Sequence, residues 1–327
     1  MTTDPEKQHE DPQEIRRPSR ASDRWLLIGG LIVVSALFFL APGGLLDKAD
    51  HIGYAVCHQI PIRSYFFGNH QLPLCARCSG QYLGALGGLL LLIAMGRGRS
   101  GRLPPTGILA VLLGFLALWA FDGFNSYLTL IPGAPHLYEP QNILRVTTGA
   151  MQGVALIALV LPFFNSSFWA RTTDRPTIER WRELALVLVL VAAIVAAVSS
   201  NINALLYPLA LLSVGGTLMM LTIVNTMLTT LLLRREAQAR SWRDALPLLT
   251  AGLALGMLEI LAINLFRTWL TAELGLGPRG IQYCSTDPTG CWCSAAPTGS
   301  YSRYRPNRRR GSPGVSLRPS LEDQSHS

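Results

Sequence analysis

Seven long apolar runs occupy the middle of this chain of 327 residues, and they constrain its fold more than any other feature. A helix that crosses a bilayer needs about 20 such residues. The runs cover residues 25–41, 78–95, 106–128, 143–164, 184–200, 207–233 and 246–270. Charged residues make up only 15% of the chain, whereas a soluble domain carries about a quarter. We therefore predict an all-α fold, a polytopic transmembrane helix bundle of about seven spans over residues 25–272.

The arginines lie between these runs and are not gathered on one amphipathic face. Four segments are rich in arginine, and they hold Arg16, Arg17, Arg20 and Arg24, then Arg97, Arg99 and Arg102, then Arg171, Arg175, Arg180 and Arg182, then Arg234, Arg235, Arg240 and Arg243. Residues 42–74 carry only Lys48 and Arg63, and residues 129–142 and 201–206 carry neither lysine nor arginine. Arginine-rich loops stay cytoplasmic. We therefore predict a multi-pass protein of the cell membrane with a cytoplasmic N-terminus and an extracytoplasmic loop at 42–79. The predicted partner is the lipid bilayer and not nucleic acid, because the charge of +8 follows membrane topology.

Both ends of the chain differ in composition from the spans. Residues 1–24 are polar, and we predict a disordered cytoplasmic N-terminus there. The first span is predicted to be a retained anchor, since acidic residues precede it and no cleavage site follows. Residues 273–327 are rich in Gly, Pro, Ser and Arg and predict a disordered, low-complexity basic tail. The spacing of Cys284, Cys291 and Cys293 does not fit a zinc knuckle, so we interpret them as incidental.

A cluster of reactive residues precedes and enters the second run. Cys57 and His58 lie in the segment before the span, and Cys75-x-x-Cys78 stands at its start. Seventeen residues separate Cys57 from Cys75. Backbone N–H groups and the dipole at a helix N-terminus favour thiolates. Arg77 adds positive charge beside both thiols.

Three interpretations of these cysteines remain open. In the first, Cys57, Cys75 and Cys78 bind a metal such as zinc with His58 as fourth ligand. Because Cys57 and His58 are adjacent in sequence and do not easily bind the same ion, His70 or a water molecule is the alternative fourth ligand. In the second, Cys75 and Cys78 form a redox pair with Cys57 as the resolving thiol. In the third, two cysteines form a structural disulfide and the third is inert.

Glycines recur along the second span with the spacing of close helix contacts. Gly80, Gly84 and Gly88 repeat a small-x-x-x-small pattern. Such spacing lets two membrane helices approach closely. We therefore predict tight packing of this span against another helix and assign the glycines no role in phosphate binding.

Charged residues within the spans indicate an intramembrane polar network. Asp122 lies about 24 Å into the third span, and Glu259 about 21 Å into the seventh, at 1.5 Å per residue. Arg145 begins the fourth span at a depth similar to that of Asp122. Such charges are costly in lipid and face a partner or a cavity. We predict an Asp122–Arg145 pair between the third and fourth spans, with Arg63, Arg77 and Glu259 in the same network.

The order of rare residues resembles the signature of a known family. The matching strings are Cys57-His58-Gln59-x-Pro61-x-Arg63-Ser64, Pro73-Leu74-Cys75-Ala76-Arg77-Cys78-x-Gly80-x-Tyr82-x-Gly84, Asp122-Gly123 and Asn142-x-x-Arg145-x-x-x-Gly149. They are similar to a prokaryotic membrane protein family known as domain of unknown function 2085. The resemblance covers about residues 50–160. It implies that these positions form one unit, and it brings no activity with it.

Three classes of function compete. The first is a membrane protein with a metal or thiol-redox centre on its outer face, which binds or processes a small ligand or a protein partner. Metal-assisted hydrolysis and thiol–disulfide exchange are the corresponding reactions, zinc is the corresponding cofactor, and whether the protein is an enzyme stays open. The second is a transporter or channel with Asp122, Arg145 and Glu259 along a path and structural cysteines; the absence of a visible inverted repeat argues against it. The third is a structural or assembly protein.

Overall fold

A computed structural model describes residues 20–129, 131, 133 and 135–273, together with residues 284–287, 290–294 and 301–304. In this part of the chain, seven helices are long and apolar enough to cross a membrane. The long helices are α1 (Arg20–Leu40), α3 (Ala76–Ala94), α4 (Thr106–Leu128), α5 (Asn142–Phe168), α6 (Trp181–Ser199), α7 (Leu206–Leu232) and α8 (Trp242–Glu273). The predicted all-α bundle of about seven spans is confirmed, because each helix covers one of the seven apolar runs.

The loop between the first two spans has a structure that the sequence analysis did not predict. Helix α2 (Leu45–Val56) precedes a short 3-10 turn (Pro61–Arg63) and a hairpin of β1 (Phe66–Phe67) and β2 (His70–Gln71). The Gln59 amide donates to the Asp50 carbonyl (3.1 Å) and the Pro73 carbonyl (2.8 Å). The loop is therefore tied to itself by side-chain hydrogen bonds immediately before α3 begins.

Helices α3 and α5 pack with their backbones in contact. A Cβ atom at Gly80 would overlap the Val146 carbonyl on α5, and one at Gly149 would overlap the Arg77 carbonyl on α3. Helix α5 is central in the bundle, because 61% of the residues in its 18-residue apolar stretch are buried. The predicted tight packing of the glycine-rich span is confirmed, and it brings the start of α3 against the start of α5.

The arginine-rich loops at the other end of α3 and α5 are also ordered. Strand β3 (Ser100–Arg102) pairs in parallel with β4 (Thr173–Pro176). The buried Arg97 guanidinium binds Glu179 (2.7 Å) and Glu183 (2.8 Å). These contacts join the loop after α3 to the loop before α6 and to the first turn of α6.

The two ends of the chain lie largely outside the described residues. The disordered N-terminus predicted for residues 1–24 does not hold for residues 20–24, which begin α1. For residues 1–19 and most of 273–327 the predicted disorder concerns positions outside the described residues and stays a prediction. Within the second stretch the structure has three strands, β5 (Cys284–Asp287), β6 (Gly290–Ser294) and β7 (Tyr301–Tyr304). They form an antiparallel sheet in the order β5-β6-β7. The prediction of a structureless tail therefore does not hold for these short segments.

Candidate metal and thiol centre

Three cysteines meet where the loop joins α3. Cys57 ends α2, Cys75 directly precedes α3 and Cys78 lies in its first turn. All three are free thiols, and Cys57 and Cys75 are only 5% and 4% exposed. Cys57 Sγ accepts hydrogen bonds from the backbone N–H of Cys75 (3.3 Å) and of Gln59 (3.5 Å). The backbone therefore holds this sulfur at the N-terminus of α3.

The cluster includes the histidine next to Cys57. His58 Nδ1 lies 3.6 Å from Cys57 Sγ, and the ligand atoms of Cys57, His58 and Cys75 lie within 4.8 Å of one another. We had expected that neighbours in sequence would not easily share an ion. Gln59, which follows His58, has a left-handed backbone conformation with a φ of 48°, and the exposed His58 ring lies beside both cysteines. His70 is outside this group, and its Nδ1 lies 3.0 Å from the Gln71 carbonyl oxygen.

The three thiols differ in acidity because they share hydrogen bonds. Donation from the Cys57 and Cys78 thiols holds the pKa of Cys75 well below its usual value. The same interaction with Cys75 raises the pKa of Cys57 to about 12. Burial lowers the pKa of His58, and nearby arginines lower it further. Cys75 therefore loses its proton more readily than Cys57, and the lowered pKa of His58 favours the neutral imidazole.

An ion pair lies directly below the cluster, but its partners differ from those predicted. Asp122, with its side chain 3% exposed, pairs with Arg77. Its carboxylate also accepts hydrogen bonds from the Tyr138 hydroxyl (2.6 Å) and the Thr148 hydroxyl (3.3 Å). The predicted Asp122–Arg145 pair is wrong. Close contact of α3 with α5 turns Arg77 toward α4, where it occupies the position that we had assigned to Arg145.

Three arginines converge on one serine of α4. Arg77 Nη2 and Arg145 Nε donate to Ser126 Oγ (3.1 and 3.3 Å), and Arg63 Nη2 donates to the Ser126 carbonyl (3.1 Å). Arg145 also donates to Asn142 Oδ1 (2.9 Å). The structure thus brings together four of the five predicted network residues. Three guanidinium groups against the Asp122 carboxylate leave a formal charge of +2.

Glu259 has a different partner. Its carboxylate accepts a hydrogen bond from Asn225 Nδ2 (3.0 Å), which joins α7 to α8. Glu259 therefore lies outside the network around Asp122, although it was predicted to belong to it.

Several contributors to the site were missed in the sequence. Ser126 follows Asp122 by four residues, and this spacing on one face of α4 is a signal that could have identified it. Tyr138 lies in a loop and has no such signal. Arg267 on α8 donates to the Cys57 carbonyl (2.9 Å) and stacks on the Tyr54 ring. No local pattern relates Arg267 to Cys57, because the two are 210 positions apart.

Comparison with known proteins identifies relatives for the segment that carries the site. A sequence profile described as "Predicted membrane protein (DUF2085)" matches residues 57–159. An uncharacterized protein of Methanocaldococcus jannaschii is 31% identical over 109 residues, which is 33% of this chain and 64% of that protein. An uncharacterized protein of Methanothermobacter thermautotrophicus is 30% identical over 104 residues, which is 32% of this chain and 83% of that protein. No solved structure matches the chain. The matched segment contains the three cysteines and the arginine cluster, and Glu259 lies outside it.

Proposed function

The chain belongs to the family of predicted membrane proteins called domain of unknown function 2085, and we propose that it binds a zinc ion at the extracytoplasmic face of the cell membrane. Cys57, His58, Cys75 and Cys78 are the proposed ligands. The arginine-rich loops support this orientation, with the N-terminus in the cytoplasm and the cysteine loop on the opposite side.

The spacing of the ligand atoms is the observation that carries this proposal. Zinc in proteins takes four ligands at tetrahedral angles. Bonds of about 2.3 Å to sulfur and about 2.1 Å to nitrogen place two such ligand atoms about 3.6 Å apart. Cys57 Sγ and His58 Nδ1 are separated by 3.6 Å. Cys75 lies within 4.8 Å of both. Cys78 lies outside this three-residue group but shares hydrogen bonds with the other two thiols, and it is the proposed fourth ligand.

The surroundings of the cysteines also suit a thiolate-rich metal centre. Backbone N–H groups that donate to a coordinating sulfur stabilise its negative charge, and Cys57 Sγ accepts two such bonds. Zinc with three thiolates carries a formal charge of −1. The +2 of the arginine cluster formed by Arg63, Arg77 and Arg145 with Asp122 has the sign that stabilises this negative centre.

The exposure of the ligands indicates where a further molecule would reach the metal. Cys57 and Cys75 are buried, whereas His58 is exposed. A ligand that arrives from the extracytoplasmic side would therefore meet zinc on the His58 side. The sulfur ligands would hold the ion while that position exchanges, as required for a metal that binds or activates a small molecule.

Metal analysis of the purified protein tests the proposal. We expect about one zinc per chain in a Cys284→Ser, Cys291→Ser, Cys293→Ser background, which removes the thiols of the tail. Cys75→Ser should lose the metal, and His70→Ala should keep it as the matched control.

Cobalt substitution provides a second test that does not depend on a folded mutant. Replacement of zinc by Co²⁺ in the unmutated protein should give the intense visible absorption and thiolate-to-metal charge transfer of tetrahedral sulfur ligation. Metal-free protein with a reducible disulfide among Cys57, Cys75 and Cys78 would refute the zinc centre.

Thiol–disulfide exchange is a second candidate, and the lowered pKa of Cys75 favours it. In this reaction the Cys75 thiolate attacks a disulfide of a partner protein and releases one partner thiol. Cys57 or Cys78 then attacks the mixed disulfide and releases the second. The partner disulfide is reduced to two thiols, and two cysteines of this chain are oxidised to a disulfide. The metal analysis separates the two candidates, since only exchange predicts metal-free protein that reduces a model disulfide.

A further inference from the structure

A cavity of about 590 Å³ lies at the opposite end of α3 from the cysteines. Its walls come from α3, α5, α7 and α8 and are mostly apolar, with Leu89, Ile93, Met219 and Leu249 among them. The loop residues that follow α3 form one end of it. The cavity is therefore separate from the proposed zinc centre and lies beside the arginine-rich loops.

The extent of the cavity corresponds to one leaflet of a bilayer. Arg99 and Trp242 line it at the level of the loops, and Trp242 is the first residue of α8. Met219 lines it thirteen residues before the end of α7 at Leu232. At 1.5 Å per residue this is about 20 Å along the helix. Half of the hydrocarbon core of a bilayer is about 15 Å thick, so the cavity reaches from the polar boundary into the acyl-chain region.

A cationic group lies at the polar end. The Arg99 guanidinium stacks over the Trp169 ring at 4.1 Å, and the Trp169 ring contacts the Trp242 ring edge-on at 5.1 Å. No carboxylate lines the cavity, and none within the described part of the chain forms an ion pair with Arg99. Tryptophan and arginine together are typical of the boundary between lipid headgroups and acyl chains.

A buried acceptor without a partner lies beside this arginine. Asn165 lines the cavity and is only 1% exposed. Its Nδ2 donates to the carbonyls of Gly98 (3.1 Å) and Ser100 (2.9 Å), which assigns the amide orientation. Its Oδ1 accepts no hydrogen bond from any described residue. An unpaired buried acceptor is costly, and a bound molecule with a hydroxyl donor would satisfy it.

We propose that this cavity binds an anionic phospholipid whose headgroup carries hydroxyl groups, of the phosphatidylglycerol type. The phosphate lies at Arg99, a headgroup hydroxyl donates to Asn165 Oδ1, and an acyl chain fills the apolar part toward Met219. Charge complementarity selects an anionic over a zwitterionic lipid, because only the anionic headgroup leaves Arg99 compensated.

Native mass spectrometry of the full chain in detergent tests this selectivity. The probes are phosphatidylglycerol and phosphatidylcholine with identical acyl chains. One basic residue near an anionic headgroup corresponds to about five-fold in affinity, so the unmutated protein should bind phosphatidylglycerol about five-fold more tightly. Arg99→Gln should lose this charge-dependent preference and keep only the part that the hydroxyl bond to Asn165 contributes. Arg171→Gln, an exposed arginine outside the cavity, should retain it.

A variant that fills the cavity with a larger side chain tests whether the lipid binds inside it. Leu249→Trp should reduce the binding of both lipids while the circular dichroism of the protein stays unchanged. Equal affinities of the unmutated protein for the two lipids would overturn the proposal. An equal loss of preference in Arg99→Gln and Arg171→Gln would also overturn it, because general surface charge would then be the cause. Lipid binding that Leu249→Trp leaves intact would show that the cavity is not the site.

Discussion

Replacement of Gly153 by alanine should force α3 and α5 apart. A Cβ atom at Gly153 would overlap the Gln81 carbonyl and lie 2.8 Å from the Ala85 nitrogen, both on the backbone of α3. Ordinary contacts are about 3.5–4.0 Å, so relief of the Ala85 contact alone separates the helices by at least about 0.7 Å, and such a gap forfeits a quarter to a half of each contact energy. A patch with the 40–60 contacts of one buried leucine, at 0.1–0.2 kcal/mol each, then loses about 1–6 kcal/mol, and mid-range values give about 2–4 kcal/mol. Overpacked cores lose about 1–3 kcal/mol.

The same substitution at Gly114 provides the matched control. A Cβ atom there has nothing within 4 Å, and alanine is favoured over glycine in a helix by about 1 kcal/mol. That gain is common to both variants, so Gly153→Ala should be about 2–3 kcal/mol less stable than Gly114→Ala. Unfolding in mixed micelles with a rising fraction of SDS, followed by far-UV circular dichroism, measures the difference. Equal midpoints for the two variants would refute the close approach of α3 and α5.

Three further predictions concern the site and the topology. Arg77→Gln leaves the buried Asp122 carboxylate without its guanidinium partner and should cost about 3–5 kcal/mol in the same unfolding assay; a loss below 1 kcal/mol would mean that the pair is not desolvated. Zinc must displace the proton of Cys57 at any pH below the raised pKa of this thiol, which is about 12. The zinc dissociation constant should therefore fall at least ten-fold for each unit by which the pH is raised between about 6 and 8. A dissociation constant that does not change with pH in competition titrations would contradict the role of Cys57 as a ligand. In a cysteine-free background, Leu137→Cys should react with a membrane-impermeant maleimide in intact cells, because it lies in an arginine-free loop. Arg175→Cys should react only after lysis, because it lies in an arginine-rich loop. The reverse labelling would invert the proposed orientation.

The spans were predictable because lipid imposes a one-dimensional requirement. A backbone in hydrocarbon must satisfy its own hydrogen bonds, so an apolar run of sufficient length becomes a helix whatever its neighbours are. The position of Cys75 and Cys78 at the start of α3 followed from the same rule. The glycine spacing along that helix also predicted that another helix would approach closely.

The pairing of charged groups was not predictable from depth alone. Depth along the spans placed Asp122 and Arg145 at the same level, yet Asp122 pairs with Arg77. An ion pair depends on the rotation of each helix about its axis, and the sequence of one helix does not contain that angle. Contacts of Gly149 and Gly153 with the α3 backbone set the rotation of α3 and α5 and direct Arg77 to α4.

The sequence by itself determined a multi-pass helical bundle, the location of three thiols at the mouth of the second span and the polar character of the segment around them. Only the tertiary structure decided that the His58 ring lies beside the Cys57 sulfur, that three arginines donate hydrogen bonds to Ser126 and that an apolar cavity lies beside Arg99. The physical reason is that burial in lipid depends on composition along the chain, whereas a site depends on distances between side chains of different helices. Those distances are set by how closely and at what angle the helices pack.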